Sequence, residues 1–503
     1  MIPFRHSFPL RLAVVLAALH AFPDHAAGAD KVLLSIGDAA RIAIERNLGL
    51  KVASHDPAIA ETGIRKARSI YDPAFSALLD HSGSNLQTFP GSSLVDRPRF
   101  FDFDASVSRL LSTGATTSVS FTNQLFRDNL GLVSSRFARP ALTLSFSQPL
   151  LKGLGREVTE AGITTAEDAM DTALSEWNRQ AIETAAAART RYLDLVKARE
   201  NLSTLKASLD LARQIHTENE GRVKAGVLAA YQLQDSLLGV LQRQAELLVA
   251  ERAARDAADR LLAVLNLPAG TVIEDAGTPP PEPIGLREED AMRTAMSRRP
   301  GIASARVSVR NTEFNERVTR NLALPSLALE GSAGVVGLGR DYGEGFEDMS
   351  GGDYTAWSVG LSFSVPLGNR SARADHAAAR LRASQARVQL ASAEEAAGTE
   401  VRTALRAVDS RREEIAVTEQ GVRVAETQVE LYRKRQQLGL ATTKELLEVE
   451  TGLTRARVSY SSARADYHTA LTDLWRATGE LLDRTGLRIE GKGPEPAKRK
   501  GKP

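Results

Sequence analysis

Residues 141–150, ALTLSFSQPL, and residues 357–367, WSVGLSFSVPL, are two strand-like segments that end in the same way. In each one, apolar residues alternate with serine, threonine or glycine, so one face of the strand is apolar and the other is small and polar. This pattern fits a membrane β-barrel with a water-filled lumen, and it also fits a soluble sandwich whose apolar face is core. Two further segments, Pro73 to His81 and Pro325 to Val335, alternate less regularly.

The tracts that follow these strands are predicted to form two long helical hairpins. Neither tract contains proline until Pro268 and Pro494, and both are rich in strong helix formers. One glycine interrupts each tract, Gly226 in the first and Gly439 in the second, and glycine permits the left-handed cap that ends a helix. Apolar residues recur every seven positions, which indicates coiled-coil packing. These positions are Leu195, Leu202, Leu209 and Val223 in the first tract, where His216 is the one exception to the apolar pattern, and Val401, Val408, Ile415, Val422 and Val429 in the second.

The same order of elements occurs twice along the chain, which predicts two internal structural repeats. Pro73 corresponds to Pro325, and Gly226 corresponds to Gly439. The first half is longer between its two strands, and its additional residues hold two more strand-like segments around the turn Ser112-Thr113-Gly114. These segments could extend a barrel or cap it from outside.

The predicted domain organisation follows from these patterns. Arg5 and Arg11, a short apolar run and the small residues Ala27 to Ala29 are typical of a secretory signal peptide. Residues 331–352 are rich in glycine and predict a flexible exposed loop. The predicted segments are a signal peptide at 1–29; a first repeat at 30–278, with strands at about 73–82 and 140–149, an inserted hairpin at about 100–126 and a helical hairpin at about 158–266; a proline-rich linker at 279–285; a second repeat at 286–482, with strands at about 325–336 and 355–366 and a helical hairpin at about 370–478; and a basic disordered tail at 483–503.

Composition and motif searches argue against several classes of function. The chain has no cysteine, so disulfides and thiolate metal sites are excluded, and its formal charge of +2 does not suggest nucleic-acid binding. No phosphate-binding loop, dinucleotide fingerprint, nucleophile elbow or zinc-protease motif is present. The histidines after the predicted signal peptide are scattered singly. We therefore expect no catalytic site, no metal site and no cofactor.

The duplicated order of strands and helical hairpin, the Ser-Gln-Pro-Leu and Ser-Val-Pro-Leu strand exits and the two glycine-centred tips resemble the TolC-like outer-membrane efflux protein family. The resemblance implies a mixed α and β fold in which outer-membrane β-barrel strands continue into a tube of long antiparallel coiled-coil hairpins, an α-barrel. It implies a homotrimer whose four strands per protomer close one joint barrel of roughly twelve strands. Residues 148–155, QPLLKGLG, and the longer first hairpin depart from the best-known members.

The resemblance also implies a function and partners. A chain of this kind is the passive exit duct of a tripartite efflux or type I secretion system, surrounded by outer-membrane lipid in a Gram-negative bacterium. It receives cargo from an inner-membrane pump through a periplasmic adaptor, and it is not an enzyme. Its helical part lies in the periplasm.

Two groups of site residues follow from the resemblance. Acidic side chains just after the second tip narrow the periplasmic end of the tube in this family, which assigns a gate to Glu445 and Glu448, with Asp235 at the matching place of the first half. A threefold axis would bring copies of these carboxylates together, where they favour protonation and attract cations. An alternative is that both glutamates are ordinary exposed helix acids. The expected adaptor contacts are Gly226, Val227, Leu228, Gly439, Leu440 and Thr442, several of which could equally serve only to cap the helices.

Two other classes of protein compete with this interpretation. A soluble periplasmic coiled-coil adaptor would need one helical hairpin rather than two in phase, and it would not need strands with an apolar and a serine-rich face. A fibrous coiled-coil surface protein predicts neither glycine-tipped hairpins nor duplication.

Overall fold

The computed structural model of the chain describes residues 31–83, 86–87, 95–96, 99–130, 133–227, 229–281 and 285–487. The predicted signal peptide at 1–29 and most of the predicted tail lie outside this range. Residues 483–487, which the sequence assigns to the tail, instead belong to a last short helix and the turn after it, where Leu481 and Leu482 are buried.

The helices fall into two long pairs and a set of shorter elements. The two longest have 64 and 68 residues and so extend about 96 and 102 Å at 1.5 Å per residue. In chain order the helices are α1 (Ile36–Arg46), α2 (Leu48–Ala53), α3 (His55–Arg68), α4 (Arg156–Thr159), α5 (Ala161–Lys224), α6 (Tyr231–Leu265), α7 (Glu288–Arg298), α8 (Pro300–Leu322), α9 (Tyr342–Gly351), α10 (Arg370–Gln437), α11 (Thr443–Thr478) and α12 (Leu481–Arg484).

The strands form one large antiparallel sheet and two small pairs. They are β1 (Lys31–Leu34), β2 (Ala74–Gly83), β3 (Leu86–Gln87), β4 (Val95–Asp96), β5 (Arg99–Leu110), β6 (Thr116–Leu130), β7 (Val133–Pro149), β8 (Val272–Asp275), β9 (Ser326–Val336) and β10 (Thr355–Ser364). The large sheet has the order β10-β9-β7-β6-β5-β2, and β1 pairs with β8 in parallel.

The inserted hairpin, β5 and β6, lies inside the large sheet, between β2 and β7. The sheet therefore has six strands where the family resemblance implies four. The turn of this hairpin is held by the stretch that follows β7: Gly155 N donates to Thr113 O at 3.0 Å, and Thr113 Oγ1 donates to Gln148 Oε1 at 2.8 Å. Gly114, at φ +88°, approaches so closely that a Cβ there would lie 2.6 Å from Gly153 O. The unusual residues 148–155 thus secure the unusual hairpin.

The large sheet has one apolar face and one small, polar face. Apolar side chains point outwards from both edge strands, with Phe75 71% exposed on β2 and Trp357 77% exposed on β10. On the other face serine hydroxyls meet across the strands, as Ser332 Oγ and Ser358 Oγ do at 2.8 Å. Within β7, Leu142, Leu144 and Phe146 are more exposed than the threonine and serines between them. An exposed apolar face of this extent requires a partner other than water.

The two helical hairpins lie side by side. Helix α5 pairs with α6, α10 pairs with α11, and α5 also packs along α11. The predicted seven-residue stripes form the seams, with Leu195 and Leu209 buried on α5 and Val401 and Val408 buried on α10. Around them, one core joins Tyr192 and Leu261 to strands β1 and β8, and a second surrounds Tyr467.

The glycine-rich residues 331–352 are not the flexible loop that their composition predicts. Residues up to Val336 complete β9, and Tyr342–Gly351 form helix α9, which packs on β7 and β9. A Cβ at Gly337 would lie 2.0 Å from Gly345 O, so glycine here permits the chain segments to touch. The loop prediction was wrong because composition does not distinguish flexibility from close packing.

Candidate functional site at the helical tips

Both helical hairpins turn at the same hydrogen-bonded cap. Gly226 and Gly439 have φ of +72° and +73°. Val227 N donates to Arg222 O at 3.0 Å, and Leu440 N donates to Arg435 O at 2.8 Å, the six-to-one bond of a Schellman motif. Each cap leaves an apolar side chain in solvent, since Val227 is 70% and Leu440 is 66% exposed. Leu228 lies outside the residues described.

Thr442 and Glu445 form a reciprocal capping box at the start of α11. Glu445 N donates to Thr442 Oγ1 at 3.2 Å, and Thr442 N donates to Glu445 Oε2 at 2.7 Å. The backbone hydrogen bond from Thr442, followed by that from its hydroxyl, lowers the pKa of Glu445 below its usual range. Within one protomer this carboxylate is therefore an ionised helix cap on the surface.

The other two predicted gate residues, Glu448 and Asp235, have carboxylates without a partner among the described residues. Glu448 is exposed on α11 and Asp235 is half-buried on α6. Neither forms a hydrogen bond or an ion pair with any residue in the described ranges. The protomer therefore leaves both side chains available to other copies or to cations.

A buried polar cluster joins the four long helices just behind the tips. Thr443 Oγ1 accepts from Asn219 Nδ2 at 3.1 Å and from Gln436 Nε2 at 3.5 Å, and it donates to Gln232 Oε1 at 3.4 Å. Thr443 and Asn219 are almost fully buried. Because a buried polar group without a partner is destabilising, this cluster fixes the relative positions of the two hairpins. Sequence reasoning missed it, although Asn219 interrupts an otherwise apolar stripe.

A second buried contact lies one turn further from the tips, where α6 crosses α11. Arg243 Nη2 donates to Leu447 O and to Thr451 Oγ1, both at 3.1 Å. Gly239 allows this approach, since a Cβ there would lie 2.9 Å from Leu447 Cδ1.

Glu450 is a buried carboxylate beside this crossing. It is 3% exposed, neither of its oxygens has a hydrogen-bond partner among the residues described, and its nearest cation, Arg433 Nη2, lies 3.8 Å away. Burial raises the pKa of Glu450 to about 7, although Arg433 and Arg243 oppose the increase. This group therefore changes its charge near neutral pH, five residues beyond the predicted gate residue Glu445.

The described residues contain no group of three or more histidine, aspartate or glutamate side chains placed to bind a metal ion. In the same part of the chain, no helix combines the length and the apolar character that crossing a bilayer requires.

Comparisons with known proteins show similarity to outer-membrane channels. Residues 291–480 match the outer membrane efflux protein family. Among solved structures, the Vibrio cholerae outer membrane protein VceC is 16% identical with a TM-score of 0.65, covering 88% of this chain and 96% of its own. The outer membrane channel CmeC of Campylobacter jejuni is 18% identical, with a TM-score of 0.60 and coverage of 89% and 86%.

The second half of the chain is similar to the outer membrane efflux protein family, and the fold of these channels extends over most of the chain. The open state of the Neisseria gonorrhoeae channel MtrE is also similar, at 19% identity and a TM-score of 0.56, with 89% of both chains covered. No curated protein matches the sequence. The fold agreement extends over both halves of the chain, whereas the sequence match is confined to the second half.

The match over residues 291–480 and the shared fold support the predicted outer-membrane transport channel. The mixed α and β fold with long helices and an antiparallel sheet is confirmed. Nothing in the fold favours the soluble adaptor, because two helical hairpins are present instead of one.

The buried carboxylate of Glu450 predicts that the stability of the helical tip depends on pH. Because the folded chain holds the proton of Glu450 more tightly than the unfolded chain, its contribution to stability is fully present below about pH 4.5 and is lost as the pH rises to about 7. Glu450→Gln should remove this dependence and stabilise α11 at pH 8 by up to about 3 kcal/mol. Protection factors from amide exchange at residues 443–460, measured at pH 5 and pH 8, provide the test.

Glu430→Gln is the matched control, since Glu430 is an exposed glutamate on α10, the helix that pairs with α11. We expect this variant to keep the wild-type pH dependence. A Glu450→Gln protein whose protection still falls between pH 5 and pH 8 would exclude Glu450 as the titrating group.

Proposed function

We propose that this protein is the passive exit duct of a tripartite efflux or type I secretion system. The main support is the structure of the large sheet, which has an exposed apolar face on one side and a face of small polar residues on the other. This sheet continues into paired helices about 100 Å long. The apolar face suits lipid, the polar face suits an aqueous lumen, and the helices suit a tube wall through the periplasm.

Assembly into a closed barrel follows from the edges of the sheet. The outer edges of β2 and β10 have no pairing partner within the described part of one chain. Unpaired backbone groups are not tolerated in lipid, so a copy of the chain must cover each edge. With six strands alternating in direction, β2 and β10 run antiparallel to each other, and β2 of one protomer can pair with β10 of the next. We infer a homotrimer, as the family resemblance implies.

The inserted hairpin widens this barrel. Three protomers with six strands each close a sheet of eighteen strands, where four strands per protomer would give twelve. Barrel diameter grows roughly linearly with strand number, so at a strand tilt of about 40° the backbone diameter rises from about 24 Å to about 36 Å. Barrels of this size leave an aqueous channel when their lumen-facing side chains are small.

The first test is the native mass of protein extracted with detergent from the outer-membrane fraction. We expect a trimer whose image by electron microscopy contains eighteen barrel strands, because both bare edges require pairing. A monomer released with the soluble periplasmic contents would contradict the duct itself.

Disulfide cross-linking between introduced cysteines tests whether the hairpin lies inside the barrel of the same trimer. The native chain has no cysteine, so only the introduced pairs can form disulfides. Ser76→Cys with Ser106→Cys should form a disulfide, because their hydroxyls lie 2.8 Å apart, whereas Ser76→Cys with Thr143→Cys should not. Ser332→Cys with Ser358→Cys is the positive control on β9 and β10. A trimer that cross-links residues 76 and 143 has only four strands per protomer in its barrel.

The helical tips are proposed to receive the periplasmic adaptor that connects the duct to its inner-membrane pump. Gly226, Gly439 and Thr442 shape the two caps, and Val227 and Leu440 remain as exposed apolar contacts. Leu440→Asp should abolish co-purification of the adaptor while leaving the trimer intact, because it places a charge in an apolar contact. Leu431→Asp, an exposed leucine on α10 away from the tip, is the control. Unchanged adaptor binding by the Leu440 variant would refute this assignment.

Glu445, Glu448 and Asp235 are proposed to form the periplasmic gate. Copies of these carboxylates around a threefold axis repel one another and attract cations, so bound cations or protons favour the narrow state. The double variant Glu445→Gln with Glu448→Gln keeps the capping-box acceptor and mimics protonation, so it should lower single-channel conductance and reduce its sensitivity to divalent cations. Glu413→Gln, an exposed acid on α10, should behave as wild type. A double variant with wild-type conductance and cation sensitivity would leave these glutamates as ordinary surface acids.

A further inference from the structure

Three arginines form a row across the inserted hairpin and its neighbour. The strand register places Arg99 on β5 directly opposite Arg127 on β6, and Arg127 directly opposite Arg136 on β7. All three side chains are exposed. Directly opposed residues have Cβ atoms about 5 Å apart, so three positive charges lie side by side.

The row lies on the apolar face of the sheet. Side chains alternate along a strand, so Arg99 shares its face with Phe103 and Val107 of β5. By the same rule, Arg127 shares its face with Val119 of β6, and Arg136 with Leu142 of β7, whose side chains are exposed. The apolar band thus ends in a line of guanidinium groups.

The spacing along β5 places this row at the outer surface of the bilayer. The turn between β5 and β6 packs at the start of the helical domain, so Arg109 beside it marks the periplasmic side. Arg99 lies ten residues further along the strand, about 33 Å, or about 25 Å along the membrane normal at a tilt of about 40°. An outer-membrane barrel has an apolar band about 25 Å tall, so Arg99, Arg127 and Arg136 reach the outer headgroups.

Among the residues whose side chains the structure describes, none forms a hydrogen bond or an ion pair with these three guanidinium groups. Like charges directly opposite one another destabilise a sheet, so the row is at a disadvantage unless an anion occupies it. Guanidinium groups bind phosphate oxygens in pairs, and two neighbouring arginines match a single phosphate.

We propose that Arg99, Arg127 and Arg136 form a binding site for the phosphate groups of a phosphorylated glycolipid in the outer leaflet. This inference rests on the proposed outer-membrane barrel and adds the ligand of its lipid-facing surface. On β7, Ala138 and Pro140 are buried next to helix α9. The acyl chains of the same molecule would therefore lie against the exposed side chains of Phe103, Val107 and Val119 on β5 and β6.

The experiment compares purified trimers in lipid nanodiscs that contain either a bisphosphorylated lipid A or its dephosphorylated form. Native mass spectrometry counts the lipid retained when the nanodisc is dissociated. We expect wild type to retain the phosphorylated lipid. The triple variant Arg99→Gln, Arg127→Gln and Arg136→Gln should lose retention by about tenfold or more, because charge-assisted hydrogen bonds are removed.

Arg139→Gln is the matched control. Arg139 is an exposed arginine on β7, three residues from Arg136 and on the opposite face of the sheet, so its loss should leave retention unchanged. In detergent free of phosphorylated lipid, the triple variant should melt at a higher temperature than wild type, since the like-charge repulsion is gone.

Three results would overturn the inference. Equal retention by wild type and the triple variant would show that the arginines do not bind the lipid. Equal retention of the dephosphorylated lipid would show that phosphate is not recognised, and displacement by inorganic phosphate at the same phosphate concentration would assign the row to a free anion. A trimeric barrel with any of these results keeps the proposed function, whereas the absence of a membrane trimer removes both.

Discussion

Backbone hydrogen bonding at the two edges of the six-stranded sheet is the constraint on which the rest of the molecule depends. Within lipid, an unpaired N–H or C=O group has no water to bind, and each one is destabilising by several kcal/mol. In the proposed membrane barrel, a chain whose sheet ends at β2 and β10 needs copies of itself to cover these two edges. The proposed trimer, its lumen and the placement of the helices around a common axis would all follow from this requirement.

The helical domain must hold its long helices in fixed positions relative to one another. Long helices expose no strand edges, but they must stay in register over about 100 Å. Apolar stripes fix the seams of the two hairpins, and the polar cluster around Thr443 fixes the hairpins relative to each other close to their free ends. The tip regions also carry Glu450, whose charge changes near neutral pH. Rigidity and a titratable group thus occur at the end of the tube where access would be controlled.

Local signals in the sequence predicted much of this fold. The absence of proline, the seven-residue stripes and Gly226 and Gly439 located the helices and their tips, because each acts within a few residues. Pairing between distant strands has no such local signal, so the position of β5 and β6 in the sheet stayed open until the register was known. Burial of Glu450 depends on the crossing of α6 and α11, which periodicity within one helix does not reveal.

The hairpin formed by β5 and β6 has a consequence for how such ducts diversify. A hairpin adds two strands, so the two edge strands keep opposite directions and the same edges still fit together; a single added strand would destroy this match. In the proposed trimer each added hairpin is multiplied by three, so one insertion would enlarge the pore by six strands at once. The diameter of such pores would then change in discrete steps, while the helical hairpins stay the same.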